Sequence, residues 1–189
     1  MKLNNKDILR QSSRSLRDSF GEEFIKDASA RACNLLASTR EFESADTILF
    51  YYPNKNELST LSLFDVAKQN NKKIAFPVCD KENNTLTFKF VDSLDDLEIA
   101  SFGIFEPKNH CKAIESTKNT LCIVPALLFS QKGHRLGYGK GYYDKFLEKF
   151  EGISVGFSYS KLLVDSLPSE KHDVPLNIII TESEVHYIA

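Results

Sequence analysis

The feature that most constrains this sequence is a glycine-rich stretch at residues 135–144, which reads RLGYGKGYYD. Three of the chain's eight glycines fall at alternate positions within it, and Gly133 lies just upstream. An apolar run at 121–129 predicts a buried strand before the stretch, and helical spacing of apolar residues predicts a helix over 142–150 after it. A strand, a glycine-rich loop and a helix N-terminus are typical of an anion site, because glycine lets backbone N–H groups approach a phosphate closely.

The charged side chains of this stretch favour phosphate binding over a simple tight turn. Arg135 and Lys140 supply positive charge, and Asp144 lies in the first turn of the predicted helix, where it can hold a divalent cation beside phosphates. The alternative is a turn in which glycine provides the shape and Asp144 complements the helix dipole. The spacing matches neither a Walker loop, which needs Ser or Thr after Gly-Lys, nor the dinucleotide fingerprint.

Strands and helices are predicted to alternate along the chain. Buried strands are predicted at 47–52 and 73–78, with a helix over about 60–70 between them. This order favours an α/β fold with an open, mostly parallel sheet and helices on both faces. The length allows a single domain over residues 1–189, with the N-terminal helices (residues 1–38) packed on the α/β core.

The first predicted helix carries a basic stripe. Lys6, Arg10, Arg14 and Arg17 follow one another at spacings of four, four and three residues, which places them on one face of a helix. Such a stripe is either a solvated face or a surface laid against a polyanion such as a nucleotide triphosphate. The spacing leaves both interpretations open.

Two further groups of residues are candidates for ligand binding. Tyr51 and Tyr52 end a predicted parallel strand and Glu57 follows it, and ligands of open α/β sheets bind at the carboxyl ends of such strands. Glu57 alone is more typical of an acid at a helix start than of a ligand. Asp173 lies in a later loop and can complete a metal site with Asp144, since Mg²⁺ takes one or two protein carboxylates together with phosphate oxygens and waters.

Composition excludes several classes of protein. The net charge of −2 argues against a general nucleic-acid-binding protein, which is usually basic. No apolar run has the length of a membrane span, and the polar N-terminus lacks the apolar core of a secretion signal. The four cysteines show no metal-type spacing and are expected to be free thiols. We therefore expect a cytoplasmic protein without nucleic-acid or membrane partners. A monomer is a separate expectation that composition does not address.

The stretch RLGYGKGYYD closely resembles the signature of 5-formyltetrahydrofolate cyclo-ligases. Weaker matches extend the resemblance over nearly the whole chain and occur in the same order. They are the basic segment at 6–14, the segment NELST at 56–60, the pair Glu106-Pro107, and the block from His172-Asp173 to Thr181-Glu182. Ser130 and Asn177 stand where this family usually has acids, and Lys145 stands where it usually has arginine, so any role for an acid at 130 or 177 is in doubt.

The resemblance implies a Rossmann-like open α/β sheet and an ATP- and Mg²⁺-dependent enzyme. Its reaction converts 5-formyltetrahydrofolate to 5,10-methenyltetrahydrofolate and releases ADP and phosphate. The γ-phosphoryl group of ATP passes to the formyl oxygen, and N10 of the folate then closes the ring. Alternatives are another ATP-dependent small-molecule kinase or ligase with the same phosphate loop, and a non-enzymatic nucleotide- or RNA-binding protein that uses the basic helix.

The resemblance also implies roles for individual residues. Folate contacts fall on Tyr52 and Glu57, and magnesium ligands fall on Asp144 and Asp173. Catalytic roles fall on Arg135, Lys140 and Tyr142. The implied ATP contacts are Lys6, Arg10, Arg14, Arg135, Leu136, Gly137, Tyr138, Gly139, Lys140, Gly141, Tyr142 and Tyr143.

Overall fold

The computed structural model describes residues 5–100, 103–170 and 173–188; His172 of the sequence analysis lies outside them. The helices and strands are, in chain order, α1 (Asn5–Asp18), α2 (Glu22–Ala37), α3 (Arg40–Ser44), β1 (Thr47–Leu49), α4 (Leu61–Gln69), β2 (Lys73–Asp80), β3 (Thr85–Phe90), β4 (Leu97–Ile99), β5 (Phe105–Pro107), β6 (Thr120–Val124), β7 (Leu128–Ser130), β8 (Arg135–Leu136), α5 (Tyr142–Leu147), β9 (Ile153–Phe157), β10 (Leu163–Val164), β11 (Ile178–Ile180) and β12 (Val185–Tyr187).

The main sheet has seven strands in the order β12-β11-β9-β6-β1-β2-β3. Its five central strands are parallel, because β1 pairs in parallel with β2 and β6, and β9 pairs in parallel with β6 and β11. The two edge strands, β3 and β12, run antiparallel to their neighbours. The predicted α/β class with an open, mostly parallel sheet is therefore confirmed.

Helices cover both faces of this sheet. Ile48 and Ile178 belong to a buried cluster that includes apolar residues of α2 and α4. The next residue in each strand, Leu49 and Ile179, belongs to a second cluster that includes Leu147 of α5. Successive side chains of a strand point to opposite faces, so a single apolar strand contributes side chains to the cores on both faces of the sheet within one domain. None of the helices in the described parts of the chain combines the length and the apolarity needed to cross a membrane.

Two predictions around the glycine-rich stretch are wrong. The apolar run 121–129 is not one strand, since Pro125 divides it into β6 of the main sheet and β7 of a small sheet with β8 and β10. Proline has no N–H group for a strand ladder, which explains the break. Helix α5 ends at Leu147 rather than at residue 150, because Lys149 and Phe150 donate to carbonyls only three residues back and tighten the chain into turns.

The strand order reverses at β1. The chain passes from β1 to β2 on one side, and β6 then pairs with β1 on the other side. Chain segments leaving β1 and β6 diverge at such a reversal, and ligands of open α/β sheets bind in the crevice between them. The segment after β1 and the glycine-rich stretch therefore face each other at this point.

Candidate active site

A cavity of about 610 Å³ lies at the reversal of strand order, and its size is typical of a small-molecule site. It is lined by the segment after β1, the end of β2, part of β5 and the whole of residues 135–144. The sequence-predicted residues that line it are Lys6, Arg10, Tyr51, Tyr52, Glu57, Asp173 and every residue from Arg135 to Asp144. Arg14 does not line the cavity.

The glycine-rich stretch shows which glycines the backbone requires. Gly139 has φ +96° and Gly141 has φ +70°, a region that side chains disfavour. Gly137 has no such torsion, and a Cβ atom there would meet no atom of the described residues within 4 Å, apart from its chain neighbours. Neither torsion nor packing demands glycine at position 137, so its missing side chain leaves open space in the cavity wall.

Arg135 fixes Asp144 at the cavity wall. Its Nη2 donates to Asp144 Oδ1 at 2.5 Å, and its Nη1 donates to the carbonyl oxygen of Val174 at 2.7 Å. Burial lowers the pKa of the Arg135 guanidinium, and the negative charge of Asp144 opposes that change. The predicted catalytic arginine is thus a buried partner of the predicted metal ligand, whereas Lys140 is exposed on the loop.

The acids of the cavity suit a metal ion that arrives with phosphate. Asp144 and Asp173 both line the cavity, and Lys6 Nζ lies 3.7 Å from Asp173 Oδ2 and 2.6 Å from Glu170 Oε1. Among the described residues, no group of three or more His, Cys, Asp or Glu side chains could hold a metal by itself. Two carboxylates nevertheless fit Mg²⁺, which usually keeps several waters and takes its remaining oxygens from substrate phosphates.

Helix α1 lies against the glycine-rich stretch through its basic face. Arg10 Nε donates to the carbonyl oxygen of Gly137 at 3.0 Å. The exposed Arg14 guanidinium lies over the ring of Tyr138, 5.4 Å from its centroid, so this residue contacts the loop but not the cavity. Arg17, which the sequence analysis left without a site role, is 6% exposed, and its Nη2 donates to the Tyr138 hydroxyl oxygen at 2.7 Å.

Tyrosine hydroxyl groups hold the segment that carries Glu57. Tyr51 donates to the carbonyl oxygen of Leu58 at 2.5 Å, and Tyr159 donates to the carbonyl oxygen of Asn56 at 2.9 Å. The Glu57 side chain is buried and also lines the cavity. The segment after β1 is thus fixed on both sides of its acidic residue.

Aromatic side chains form the adjoining part of the site. Tyr52 lines the cavity, and its ring lies 4.5 Å from the Phe105 ring, centroid to centroid. Flat apolar faces of this kind suit a planar heterocycle. The cavity therefore combines a cationic, glycine-rich wall with an aromatic wall that carries a buried acid.

These features agree with the comparisons with known proteins. The sequence pattern of the 5-formyltetrahydrofolate cyclo-ligase family matches residues 2–182. The chain belongs to this family. A 5-formyltetrahydrofolate cyclo-ligase of Haemophilus influenzae is 32% identical over 142 residues, which are 72% of this chain and 75% of the relative. A probable cyclo-ligase of Schizosaccharomyces pombe is 26% identical over 196 residues, which are 95% of this chain and 96% of the relative.

A solved structure supports the same relationship. The NMR structure of a 5,10-methenyltetrahydrofolate synthetase of Aquifex aeolicus superposes with a TM-score of 0.85 at 30% sequence identity. The superposition covers 97% of this chain and 92% of that protein. The predicted membership of the cyclo-ligase family is confirmed.

Sequence reasoning gave no site role to two residues that the structure brings into view. One of them, Glu106, lines the cavity, and the other, Arg17, lies beside it. Glu106 is buried, lines the cavity and accepts a hydrogen bond from the Cys79 N–H at 3.3 Å. The Glu-Pro pair marked its position, but nothing in the sequence placed it in the same cavity as Glu57. Arg17 belongs to the basic stripe, yet the spacing could not distinguish it from Arg14.

The departures from the family pattern lie outside the cavity lining. Asn177 Oδ1 accepts hydrogen bonds from the N–H and the hydroxyl of Ser154, at 2.8 and 2.9 Å, and so joins β9 to β11. Ser130 is fully buried, and its Oγ has no hydrogen-bond partner among the described residues. Neither position contributes to the walls that face a ligand.

The buried tyrosines predict that the protein loses stability at alkaline pH. Burial, with the Glu57 carboxylate as a secondary cause for Tyr51, raises the pKa of Tyr51 and Tyr143 well above the ordinary value near 10. The unfolded chain therefore loses these protons before the folded chain does. These two tyrosines should therefore cause no change in the free energy of unfolding below about pH 9, and they should lower it as the pH rises further.

Urea unfolding between pH 8 and 11 measures this effect, and Tyr51→Phe is the matched variant. The variant lacks one titrating group. Above about pH 10, its free energy of unfolding should therefore fall less steeply with pH than that of the unmodified protein, by up to ~1.4 kcal/mol per pH unit. Identical slopes would show that Tyr51 does not titrate as a buried phenol.

Proposed function

We propose that this protein is a 5-formyltetrahydrofolate cyclo-ligase that uses ATP to convert 5-formyltetrahydrofolate to 5,10-methenyltetrahydrofolate, with release of ADP and phosphate. The observation that carries the proposal is the composition of one cavity. A glycine-rich, cationic wall suited to phosphates and an aromatic wall with a buried carboxylate suited to a pterin enclose the same space. The activities for which the relatives are named agree with this reaction.

The chemistry needs positioning and charge rather than a covalent nucleophile. A formamide carbonyl is a poor electrophile, so its oxygen attacks the γ-phosphorus of ATP, the bond from that phosphorus to the bridging oxygen of ADP breaks, and ADP leaves. N10 of the folate then attacks the activated carbon and loses its proton to solvent, and the formyl oxygen departs with the phosphate. Holding the formyl oxygen in line with the γ-phosphorus is the main contribution expected of the protein.

We assign the nucleotide to the glycine-rich wall. Lys140 is exposed on the loop and is free to move toward a phosphate, and Lys6 and Arg10 add positive charge from α1. Tyr142 is half-buried at the start of α5 in the same wall. Backbone N–H groups of the loop would complete the phosphate contacts. Arg14 is assigned an indirect role, since it lies over the Tyr138 ring and does not line the cavity.

We assign Mg²⁺ to Asp144 and Asp173 and the folate to Tyr52 and Glu57. A bound Mg²⁺ would neutralise charge on the phosphates during transfer. Arg135 keeps the Asp144 carboxylate oriented, and Lys6 lies close to Asp173. Glu57 offers a buried anionic acceptor to N–H groups of the folate, and the Tyr52 ring offers a flat surface. A cytoplasmic location and a monomeric state stay predictions.

An absorbance assay tests the reaction directly. Purified protein is mixed with 5-formyltetrahydrofolate, Mg²⁺ and ATP, and the near-ultraviolet absorbance of the methenyl product is followed with ADP release. We expect product to appear only when ATP is present, with one ADP per product. ADP release without the methenyl product would instead support another ATP-dependent small-molecule kinase or ligase.

Gly137→Ala tests whether the open space at this glycine belongs to a phosphate site. The alanine methyl group is tolerated by the free protein, so the thermal midpoint should not change. The KM for ATP should rise by about tenfold or more, equivalent to ~1.4 kcal/mol of lost binding. Gly21→Ala is the matched control, because its Cβ also meets no atom of the described residues within 4 Å beyond its chain neighbours, and Gly21 does not line the cavity. Equal ATP constants in both variants would contradict the assignment.

Asp144→Asn tests the metal assignment with little change of shape. Loss of the negative charge should raise the Mg²⁺ concentration for half-maximal rate by about tenfold or more and lower kcat. Asp165→Asn, at an exposed position outside the cavity lining, is the control. The thermal midpoints of both variants show whether loss of the Arg135 ion pair has also destabilised the fold. A Mg²⁺ dependence unchanged by Asp144→Asn would exclude Asp144 as a ligand.

A further inference from the structure

Three side chains from distant parts of the chain form one hydrogen-bonded group beside the cavity. Arg17 comes from α1, Glu57 from the segment after β1, and Tyr138 from the glycine-rich stretch. The Tyr138 hydroxyl donates to Glu57 Oε1 at 2.7 Å and accepts from Arg17 Nη2 at 2.7 Å. Arg17 Nη1 also lies 3.5 Å from Glu57 Oε1.

The position of the phenolic proton follows from the chemistry of the partners. Arginine only donates hydrogen bonds, so the Tyr138 oxygen must accept from Arg17. The hydroxyl hydrogen is then directed to Glu57, which accepts as a carboxylate. Burial raises the pKa of Tyr138 to about 12, and the Glu57 carboxylate adds to the rise while Arg17 opposes it. Tyr138 therefore remains a donor at neutral pH.

Glu57 is fixed through both of its carboxylate oxygens. Oε1 accepts from Tyr138, and Oε2 accepts from the backbone N–H of Asn54 at 3.0 Å. A carboxylate has about four acceptor sites, so each oxygen keeps capacity for an N–H group of a ligand. The group thus holds a buried anion in a set orientation without saturating it.

Tyr138 is at the same time part of the loop assigned to the nucleotide. It lies between Gly137 and Gly139, whose backbone lines the cavity. Phosphates bound to the N–H groups of this loop would restrict the backbone that carries the Tyr138 ring. The hydroxyl at the far end of that ring holds Oε1 of Glu57, while the Asn54 N–H holds Oε2.

We propose that Arg17 and Tyr138 are positioning residues that couple the two substrate sites, so that nucleotide binding strengthens folate binding and folate binding strengthens nucleotide binding. This inference rests on the proposed function, which assigns the loop to ATP and Glu57 to the folate. Coupling between two binding equilibria is reciprocal, so one factor describes both directions. The ligands need not touch each other for this effect.

A purely structural role for the group is the alternative. Arg17 Nε is buried without a hydrogen-bond partner in the described part of the chain, which disfavours a site built only for stability. Arg10 already attaches α1 to the loop through the Gly137 carbonyl oxygen. Tyr138→Phe separates the two roles, because it keeps the ring that Arg14 and Arg17 cover and removes only the hydroxyl.

The experiment measures the Kd of 5-formyltetrahydrofolate by calorimetry with and without Mg²⁺ and a non-hydrolysable β,γ-imido analogue of ATP. The ratio of the two Kd values is the coupling factor. In the unmodified protein we expect a factor of about five or more. Tyr138→Phe should bring the factor close to one, and Arg17→Lys should lower it, since lysine cannot contact both partners as the guanidinium does.

Tyr187→Phe is the matched control, because Tyr187 is exposed, lies outside the cavity lining and donates to Glu41. It should keep the factor of the unmodified protein. A factor of one in the unmodified protein, or an equal factor in Tyr138→Phe, would overturn the coupling. A Tyr138→Phe protein with a lower thermal midpoint and an unchanged coupling factor would also overturn it, because a purely structural contact behaves in that way.

The same measurements distinguish this failure from failure of the proposed function. If the unmodified protein forms the methenyl product and Tyr138→Phe keeps the coupling factor, only the positioning roles of Arg17 and Tyr138 are rejected. If the unmodified protein neither binds 5-formyltetrahydrofolate nor forms product, the proposed function is rejected and the coupling with it.

Discussion

The parallel pairing of β1 with both β2 and β6 decides where a ligand can bind in this protein. Because the chain leaves β1 toward one neighbour and later returns to the other, the segments after β1 and β6 diverge and leave a crevice. Every wall of the cavity depends on this arrangement. The segment after β1 supplies the aromatic wall with its buried acid, and the segment after β6 supplies the glycine-rich wall.

The distribution of charge then distinguishes the two walls. Helix α1 lays a basic face against the glycine-rich wall, where Arg10 contacts the loop backbone and Arg17 contacts Tyr138. Charged groups of these walls are already paired inside the protein, since Arg135 binds Asp144 and Lys6 binds Glu170. Phosphoryl transfer requires such preorganised charges around a water-poor centre, because fixed dipoles and ions need no rearrangement as charge develops.

The sequence predicts the sheet and the loop because both depend on local patterns. Apolar strands alternating with amphipathic segments indicate a parallel sheet, and glycines at alternate positions beside cations indicate a phosphate loop. The sequence does not predict how the helices and loops dock against one another. Arg14 and Arg17 are three residues apart on one helical face. The way in which α1 packs on the loop buries Arg17 and leaves Arg14 exposed. The place of Glu106 likewise depends on how β5 lies against β2.

Transfer of a phosphoryl group to the formyl oxygen is the step on which the proposed function depends, and a heavy oxygen isotope follows that step directly. 5-Formyltetrahydrofolate labelled in its formyl oxygen is converted with unlabelled ATP, and the released phosphate is analysed by mass spectrometry. We predict one labelled oxygen in each phosphate, because the formyl oxygen leaves bonded to the transferred phosphorus. Unlabelled phosphate, with the label released as water, would contradict phosphoryl transfer to the folate and would require a different use of ATP in this cavity.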